Sequence, residues 1–140
     1  MAPPGTTPSM GDRVTAIVCD DAPGFRALLS ALLEDAGVEV VARGETWAEA
    51  VELAPGIDAV VVDLWMPELE LDALATIREI TRGSTLAVVT ALDLDEARNR
   101  IGDIDVDLLL SKIAPPGDVA AAIRDNALAR RGGAPVPEEA

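Results

Sequence analysis

Short runs of apolar residues alternate along the chain with longer stretches in which apolar and polar positions repeat at helical spacing. The short runs are rich in Val, Ile and Leu and are bounded by Gly, Pro or Asp, a pattern typical of strands buried on both faces. Five strands are predicted, at residues 14–19, 38–42, 59–62, 86–89 and, together with its approach, 103–112. The periodic stretches after them predict five helices, beginning near residues 23, 46, 72, 93 and 115.

The ends of three of these helices carry recognisable capping signals. Thr46 precedes Glu49 by three positions, and Asp93 precedes Glu96 by the same interval. In a capping box the first side chain accepts a hydrogen bond from the third helical amide, and the glutamate reaches back to the amide of the capping residue. Gly37 follows the last periodic residue of the first helix and is expected to end it in the left-handed conformation.

The regular alternation of strands and helices predicts an α/β fold, with a parallel sheet covered by helices on both faces and right-handed crossovers. Five strands favour a flavodoxin-like, doubly wound sheet in the order 2-1-3-4-5 over a Rossmann-like one. In that order the first and third strands are neighbours. Ligands of such sheets bind at the carboxyl ends of the strands, beside the point where the strand order reverses.

Charged and polar residues stand at the carboxyl ends of four predicted strands. Asp20 and Asp21 follow the first, Asp63 the third, Thr90 the fourth and Lys112 the fifth. Three carboxylates in one crevice repel one another, and a divalent cation such as Mg²⁺, which prefers oxygen ligands, relieves that repulsion. Three carboxylates, a hydroxyl and an ammonium at one edge indicate a phosphoryl-transfer site, with Asp63 as nucleophile or acceptor.

Composition narrows the range of functions. The net charge of −14 argues against non-specific binding to nucleic acid or anionic membranes. The chain contains no histidine, which excludes histidine-based acid–base catalysis and imidazole metal sites. Cys19 is the single cysteine, so an intramolecular disulfide is impossible, and we expect a reducing, cytoplasmic setting in which this residue is a small buried part of a strand.

The chain resembles the receiver domain of two-component response regulators in the order and spacing of one set of residues. These are the acidic pair Asp20-Asp21, Asp63 with Met66-Pro67, Thr90-Ala91 and Lys112. The resemblance runs over about residues 14–129, and the segment 114–124 is similar to receivers attached to LuxR-type DNA-binding regulators.

This resemblance assigns a role to each residue of the site. It implies that Asp63 takes a phosphoryl group from the phosphohistidine of a histidine kinase or phosphotransfer protein. Asp20, Asp21 and Asp63, with the backbone carbonyl of Trp65, would then hold Mg²⁺. Thr90 and Lys112 would bind the transferred group. Such a domain is a switch of protein–protein contacts and not an enzyme in its own right.

Two departures from the family pattern leave alternatives open. The family usually has an aromatic residue three positions before the lysine, where this chain has Leu109, and often a proline after the lysine, where it has Ile113. A cis peptide bond before Ile113 would cost roughly 3–4 kcal/mol, so a trans bond or a changed loop is expected. A degenerate receiver that signals without phosphorylation is therefore one alternative. Apart from these departures, a Mg²⁺-dependent phosphohydrolase is a second alternative, although Trp65 occupies the place of its usual second aspartate. A flavin-binding flavodoxin is a weaker one, because the loop after the first strand is acidic and lacks a hydroxyl-rich phosphate cradle.

The domain organisation is predicted as a disordered arm at residues 1–12, a receiver at 13–130 and a disordered tail or linker at 131–140. The tail is too short for a helix-turn-helix, so we expect no DNA binding by this chain and leave the output partner open. By analogy with the family, the fourth helix, fifth strand and fifth helix form the expected output surface and a possible homodimer contact.

Overall fold

A computed structural model describes residues 13–66 and 71–131. The strands are β1 (Thr15–Cys19), β2 (Glu39–Gly44), β3 (Ala59–Val62), β4 (Thr85–Thr90) and β5 (Leu108–Ser111). The helices are α1 (Pro23–Asp35), α2 (Trp47–Leu53), α3 (Leu71–Ile80), α4 (Leu94–Ile101) and α5 (Pro116–Arg131). The predicted arm 1–12, the loop position Pro67 and the predicted tail beyond Arg131 lie outside the described residues.

The five strands form one parallel sheet in the order β2-β1-β3-β4-β5, so the predicted topology is confirmed. Alternate residues of each strand point to opposite faces, which gives the sheet two apolar layers. Buried residues of α2, α3 and α4 pack on one face, and those of α1 and α5 pack on the other. Within the described residues, no helix is long and apolar enough to cross a membrane.

β2 extends two residues beyond its predicted end, as far as Gly44. Gly44 pairs with Cys19 of β1, and its carbonyl accepts a hydrogen bond of 2.9 Å from the amide of Asp20. A Cβ atom at Gly44 would lie 3.1 Å from the Cys19 sulfur and 3.2 Å from the Glu49 Cβ. The absence of a side chain therefore lets the two strands run together up to the edge where Asp20 lies.

The capping predictions met different outcomes. Thr46 caps α2 by accepting from the Glu49 amide, as predicted, but Glu49 accepts from the amide of Glu45, one residue before the expected partner. The capping box predicted at Asp93 is wrong, because that side chain makes no capping hydrogen bond, and Glu96 is paired with Arg100 instead. Gly37 has φ of 92°, which confirms the left-handed end of α1.

A buried polar network joins four elements at the amino edge of the sheet, opposite the predicted site. The Asp107 carboxylate accepts hydrogen bonds from the Leu86 amide at 2.7 Å and from Arg78 at 3.0 Å, and it also accepts from Arg130. Arg78 donates further to the carbonyls of Thr81 and Ser84. Both charges of the Arg78–Asp107 pair are about nine-tenths buried, so the loss of either partner is expected to lower stability.

Replacing Asp107 with asparagine is expected to lower the free energy of unfolding by roughly 3 kcal/mol, because it leaves the buried Arg78 guanidinium without its charged partner. Equilibrium urea unfolding measures the loss. The matched control is Glu79→Gln, whose ion pair with Arg82 is exposed on both sides and is expected to contribute nothing measurable. A loss in Asp107→Asn no larger than in Glu79→Gln would show that the network contributes little.

Candidate functional site

Asp20 and Asp63 stand side by side at the carboxyl edge of the sheet because the backbone fixes them there. Cys19 and Val62, the last residues of β1 and β3, are register partners. The Asp63 amide donates to the Cys19 carbonyl at 3.2 Å, which carries the pairing one residue past the strand end. Both carboxylates are buried, with Asp20 3% and Asp63 2% exposed.

Lys112 bridges these two carboxylates. Its Nζ lies 2.7 Å from Oδ2 of Asp20 and 2.9 Å from Oδ2 of Asp63. Burial alone would lower the pKa of Lys112, but the hydrogen bonds to Asp20 and Asp63 outweigh it and raise the pKa above its usual value. The ammonium is therefore fully charged at neutral pH and compensates part of the negative charge of the site.

Asp20, Asp21 and Asp63 each place a carboxylate oxygen within 4.8 Å of those of the other two. Asp20 and Asp63 are buried, whereas Asp21 is exposed to solvent. Three hard oxygen donors at this spacing, one of them open to water, fit a small divalent cation such as Mg²⁺, which keeps several of its own waters. The predicted convergence of the three aspartates is confirmed.

The pKa of Asp20 is raised above its ordinary value, chiefly because burial disfavours the carboxylate. Hydrogen bonds from Lys112 and from the Ala22 amide oppose that rise, whereas the charge of Asp63 adds to it. The Ala22 amide donates to Oδ1 of Asp20 at 2.8 Å, and Arg26 donates to the Asp20 carbonyl at 2.7 Å. These contacts hold the acidic loop in place from the first turn of α1.

Trp65 and Thr90 lie at the same edge without joining the carboxylate–lysine cluster through their side chains. The Trp65 amide donates to Oδ1 of Asp63 at 3.1 Å. The Thr90 hydroxyl is fully buried and accepts from the Leu92 amide at 3.2 Å, while the Thr90 carbonyl accepts from the Lys112 amide at 2.9 Å. The metal-binding role of the Trp65 carbonyl and the phosphoryl-binding role of Thr90 remain predictions.

The two positions that depart from the family pattern differ in their surroundings. Leu109 is partly buried and packs against the core layer that includes Ala97 and Ile101 of α4. Ile113 is 90% exposed, and the described residues contain no cis peptide bond, in agreement with the predicted trans bond. Leu109 thus occupies an apolar site near α4, whereas Ile113 lies on the surface beside Lys112.

Two aromatic contacts of the site were missed by the sequence analysis. The ring of Phe25 lies under Lys112, with Nζ 4.6 Å from its centroid. The guanidinium carbon of Arg100 lies 5.1 Å from the centroid of the Trp65 ring. The sequence predicts Phe25 only as an apolar position of the first helix, and its closeness to Asp20 along the chain is the signal that could have placed it at the site. No local pattern links Arg100 to Trp65, which lies 35 positions earlier in the chain.

Cys19, next to the acidic pair, is a free buried cysteine as predicted. Burial and the negative charge of Glu49 raise the pKa of its thiol to about 12. At about pH 8 the folded protein is therefore expected to resist dithionitrobenzoate, because the reactive thiolate is absent. Absorbance at the released thiophenolate band measures the reaction, with the protein unfolded in guanidinium chloride as the control. Equal rates in the two states would contradict the burial of this thiol.

Comparison with known proteins agrees with this geometry. The family model of the response regulator receiver domain matches residues 16–124. Response regulator Rre1 of Synechocystis sp. is 32% identical over 129 residues, which cover 87% of this chain and 54% of that protein. A protein-glutamate methylesterase/protein-glutamine glutaminase of Alkalilimnicola ehrlichii is 34% identical over 98 residues, which cover 66% of this chain and 25% of that protein.

The chain therefore spans between a quarter and about half of the length of these curated relatives. Among solved structures, a LuxR-family two-component response regulator from Aurantimonas sp. superposes with a TM-score of 0.74 at 24% identity. The superposition covers 91% of this chain and 92% of that one, and it shows that the two share a fold.

Proposed function

Because the chain belongs to the response regulator receiver domain family, we propose that it accepts a phosphoryl group on Asp63 in the presence of Mg²⁺. One observation carries this proposal: a single ammonium, that of Lys112, bridges two buried carboxylates while a third, that of Asp21, lies within reach of the same point. A merely structural ion pair needs no third carboxylate facing solvent.

The residues of the site have distinct parts in the proposed transfer. A carboxylate oxygen of Asp63 forms a bond to phosphorus as the bond between phosphorus and the donor nitrogen breaks, and the electron pair leaves with the donor imidazole. Lys112, already 2.9 Å from Asp63, stands where the negative phosphoryl oxygens arrive. The Thr90 hydroxyl, which accepts from the Leu92 amide, would donate its own proton to them in a further hydrogen bond after a small shift.

Asp20, Asp21 and Asp63, with the Trp65 carbonyl, are the proposed ligands of Mg²⁺. When bound, the ion supplies positive charge that neutralises the oxygens of the transferring group. Asp20 is held by the Ala22 amide, so its second oxygen is oriented toward Lys112 and the other two carboxylates.

We propose that the chain works as a switch and not as an enzyme with a substrate of its own. Its phosphodonor would be a histidine kinase or phosphotransfer protein, which places it in the cytoplasm. The methylesterase and glutaminase activities in the relative's name belong to a protein of which this chain covers 25%. A degenerate receiver is the second candidate, favoured by Leu109, a partly buried aliphatic residue at the position where the family usually has an aromatic one.

The experiment is intact-mass spectrometry after incubation with acetyl phosphate, with Mg²⁺ or with a chelator. We expect one phosphoryl adduct per chain with Mg²⁺ and none with the chelator. Circular dichroism of the same samples shows that the protein is folded in both. A folded protein that forms no adduct in Mg²⁺ would favour the degenerate receiver.

A further inference from the structure

The contact between Trp65 and Arg100 joins the acceptor loop, here residues 63–66 after β3, to α4 on one face of the sheet. The Arg100 guanidinium lies over the Trp65 ring at 5.1 Å from the centroid. The ring is 51% exposed and Arg100 is about one-third exposed, so the contact lies on the surface at the edge of the site. Cation–π contacts of this kind contribute modestly but have a defined geometry.

On the acceptor side, Trp65 is tied to Asp63 through its backbone. The Trp65 amide donates to Oδ1 of Asp63, the oxygen that does not face Lys112. Its acceptor is a carboxylate oxygen, and hydrogen bonds to a charged acceptor are stronger than the same bonds to a neutral one. Conversion of the carboxylate to an acyl phosphate removes that charge from the acceptor group and weakens the bond. A weaker bond would hold the Trp65 backbone, and with it the ring, less firmly in place.

On the other side, Arg100 belongs to a weakly anchored helix. Of the eight residues of α4, two are buried, Ala97 and Ile101. Glu96, one turn earlier, accepts from Arg100 at 3.2 Å and so holds the guanidinium on the outer surface of the helix. An element with few buried apolar contacts opens at low free energy, and one added contact changes that opening noticeably.

We infer that Arg100 is a positioning residue that couples α4 to the acceptor loop through the Trp65 ring. This inference rests on the proposed function, since the signal is the charge state of Asp63. Adduct formation loosens the Trp65 segment, the ring leaves the guanidinium, and α4 opens more often. This link does not need the aromatic residue that the family usually has at the position of Leu109. Because a coupling free energy acts in both directions, the state of α4 in turn affects the acceptor.

Hydrogen exchange of residues 94–101 measures this coupling, with the fraction of adduct followed by intact mass in the same samples. In the original protein, adduct formation is expected to speed hydrogen exchange of α4 about twofold to fivefold. This factor corresponds to the free energy of one surface cation–π contact. Arg100→Gln should exchange fast with or without adduct, so the difference disappears. Arg100→Lys, which keeps a cation over the ring, should restore most of the difference.

Arg98→Gln is the matched control, because it removes an exposed arginine from the same helix and should leave the difference intact. Two results would contradict the inference and leave the proposed function standing. In one, adduct forms and speeds exchange of α4 equally in the original protein and in Arg100→Gln; in the other, adduct forms in the original protein and does not speed exchange of α4. If the original protein forms no adduct, the proposed function fails and the inference falls with it.

Discussion

Replacing Asp63 with asparagine is expected to abolish the phosphoryl adduct in the presence of acetyl phosphate and Mg²⁺. An amide oxygen carries no negative charge and cannot form a stable acyl phosphate, so the adduct should fall below detection. The variant also replaces one of three clustered carboxylates with a neutral amide, and its Mg²⁺ affinity should fall by at least on the order of tenfold. Intact-mass spectrometry and a Mg²⁺ titration followed by tryptophan fluorescence measure the two effects.

The fold of Asp63→Asn should persist, because Lys112 keeps its 2.7 Å contact with Asp20 and a crowded negative charge is removed. Asp95→Asn is the matched control, since Asp95 is an exposed aspartate in the first turn of α4. It should form adduct like the original protein. An Asp63→Asn variant that still forms one adduct would mean that another residue is the acceptor.

Replacing Lys112 with methionine is the second change with a large expected effect. Methionine has a similar length but no charge, so two buried carboxylates lose their shared cation. Breaking a buried ion pair on one side lowers stability by roughly 3 kcal/mol, which urea unfolding in the presence of a chelator measures. The rate of adduct formation should fall on the order of 100-fold to 1000-fold, since the group that meets the transferred oxygens is gone.

Mg²⁺ provides a further test of the same variant. With Lys112 absent, the ion becomes the main positive charge available to Asp20 and Asp63, so adding it should raise the stability of Lys112→Met more than that of the original protein. Arg124→Met, which removes a cation paired with its neighbour Asp125 on α5, is the control. Equal Mg²⁺ stabilisation in Lys112→Met and Arg124→Met would contradict a shared site for the lysine and the metal.

The sequence was sufficient to predict the sheet order and the convergence of the aspartates. Strands such as residues 59–62 are buried on both faces and read as continuous apolar runs, so their ends are easy to place. Once the order is known, parallel strands bring their carboxyl ends to one edge. That geometry alone places Asp20, Asp63 and Lys112 together, whatever their distance along the chain.

The contacts that could not be predicted are those that depend on side-chain reach across elements. Lys112 bridging two carboxylates, the Arg100–Trp65 contact and the Asp107 network each join residues at least 20 positions apart, with the exact partners decided by packing. Local signals failed in a similar way at Asp93. The spacing of Asp93 and Glu96 fits a capping box, yet Glu96 accepts a hydrogen bond from Arg100 on the same helix instead.

The Asp107 network and the Asp20–Asp63–Lys112 site differ in how far their acidic charge is neutralised. At the amino edge of the sheet, Asp107 is fully paired with arginines and serves the fold. At the carboxyl edge, the ammonium of Lys112 pairs with Asp20 and Asp63, while the third carboxylate of the cluster, that of Asp21, is exposed to solvent. The negative charge that Lys112 leaves uncompensated suits this edge to a cation.

Reductive trapping of the acyl phosphate tests the central claim most directly, because it identifies the acceptor atom and does not rely on a variant whose metal site has also changed. Borohydride converts a phosphorylated aspartate to homoserine, and peptide mass spectrometry then locates it. After incubation with acetyl phosphate and Mg²⁺, homoserine is predicted at position 63 and nowhere else, and not at all in the presence of a chelator. Homoserine at position 20 or 21, or an unmodified Asp63 in folded protein that received the same treatment, would contradict the assignment of Asp63 as the phosphoryl acceptor.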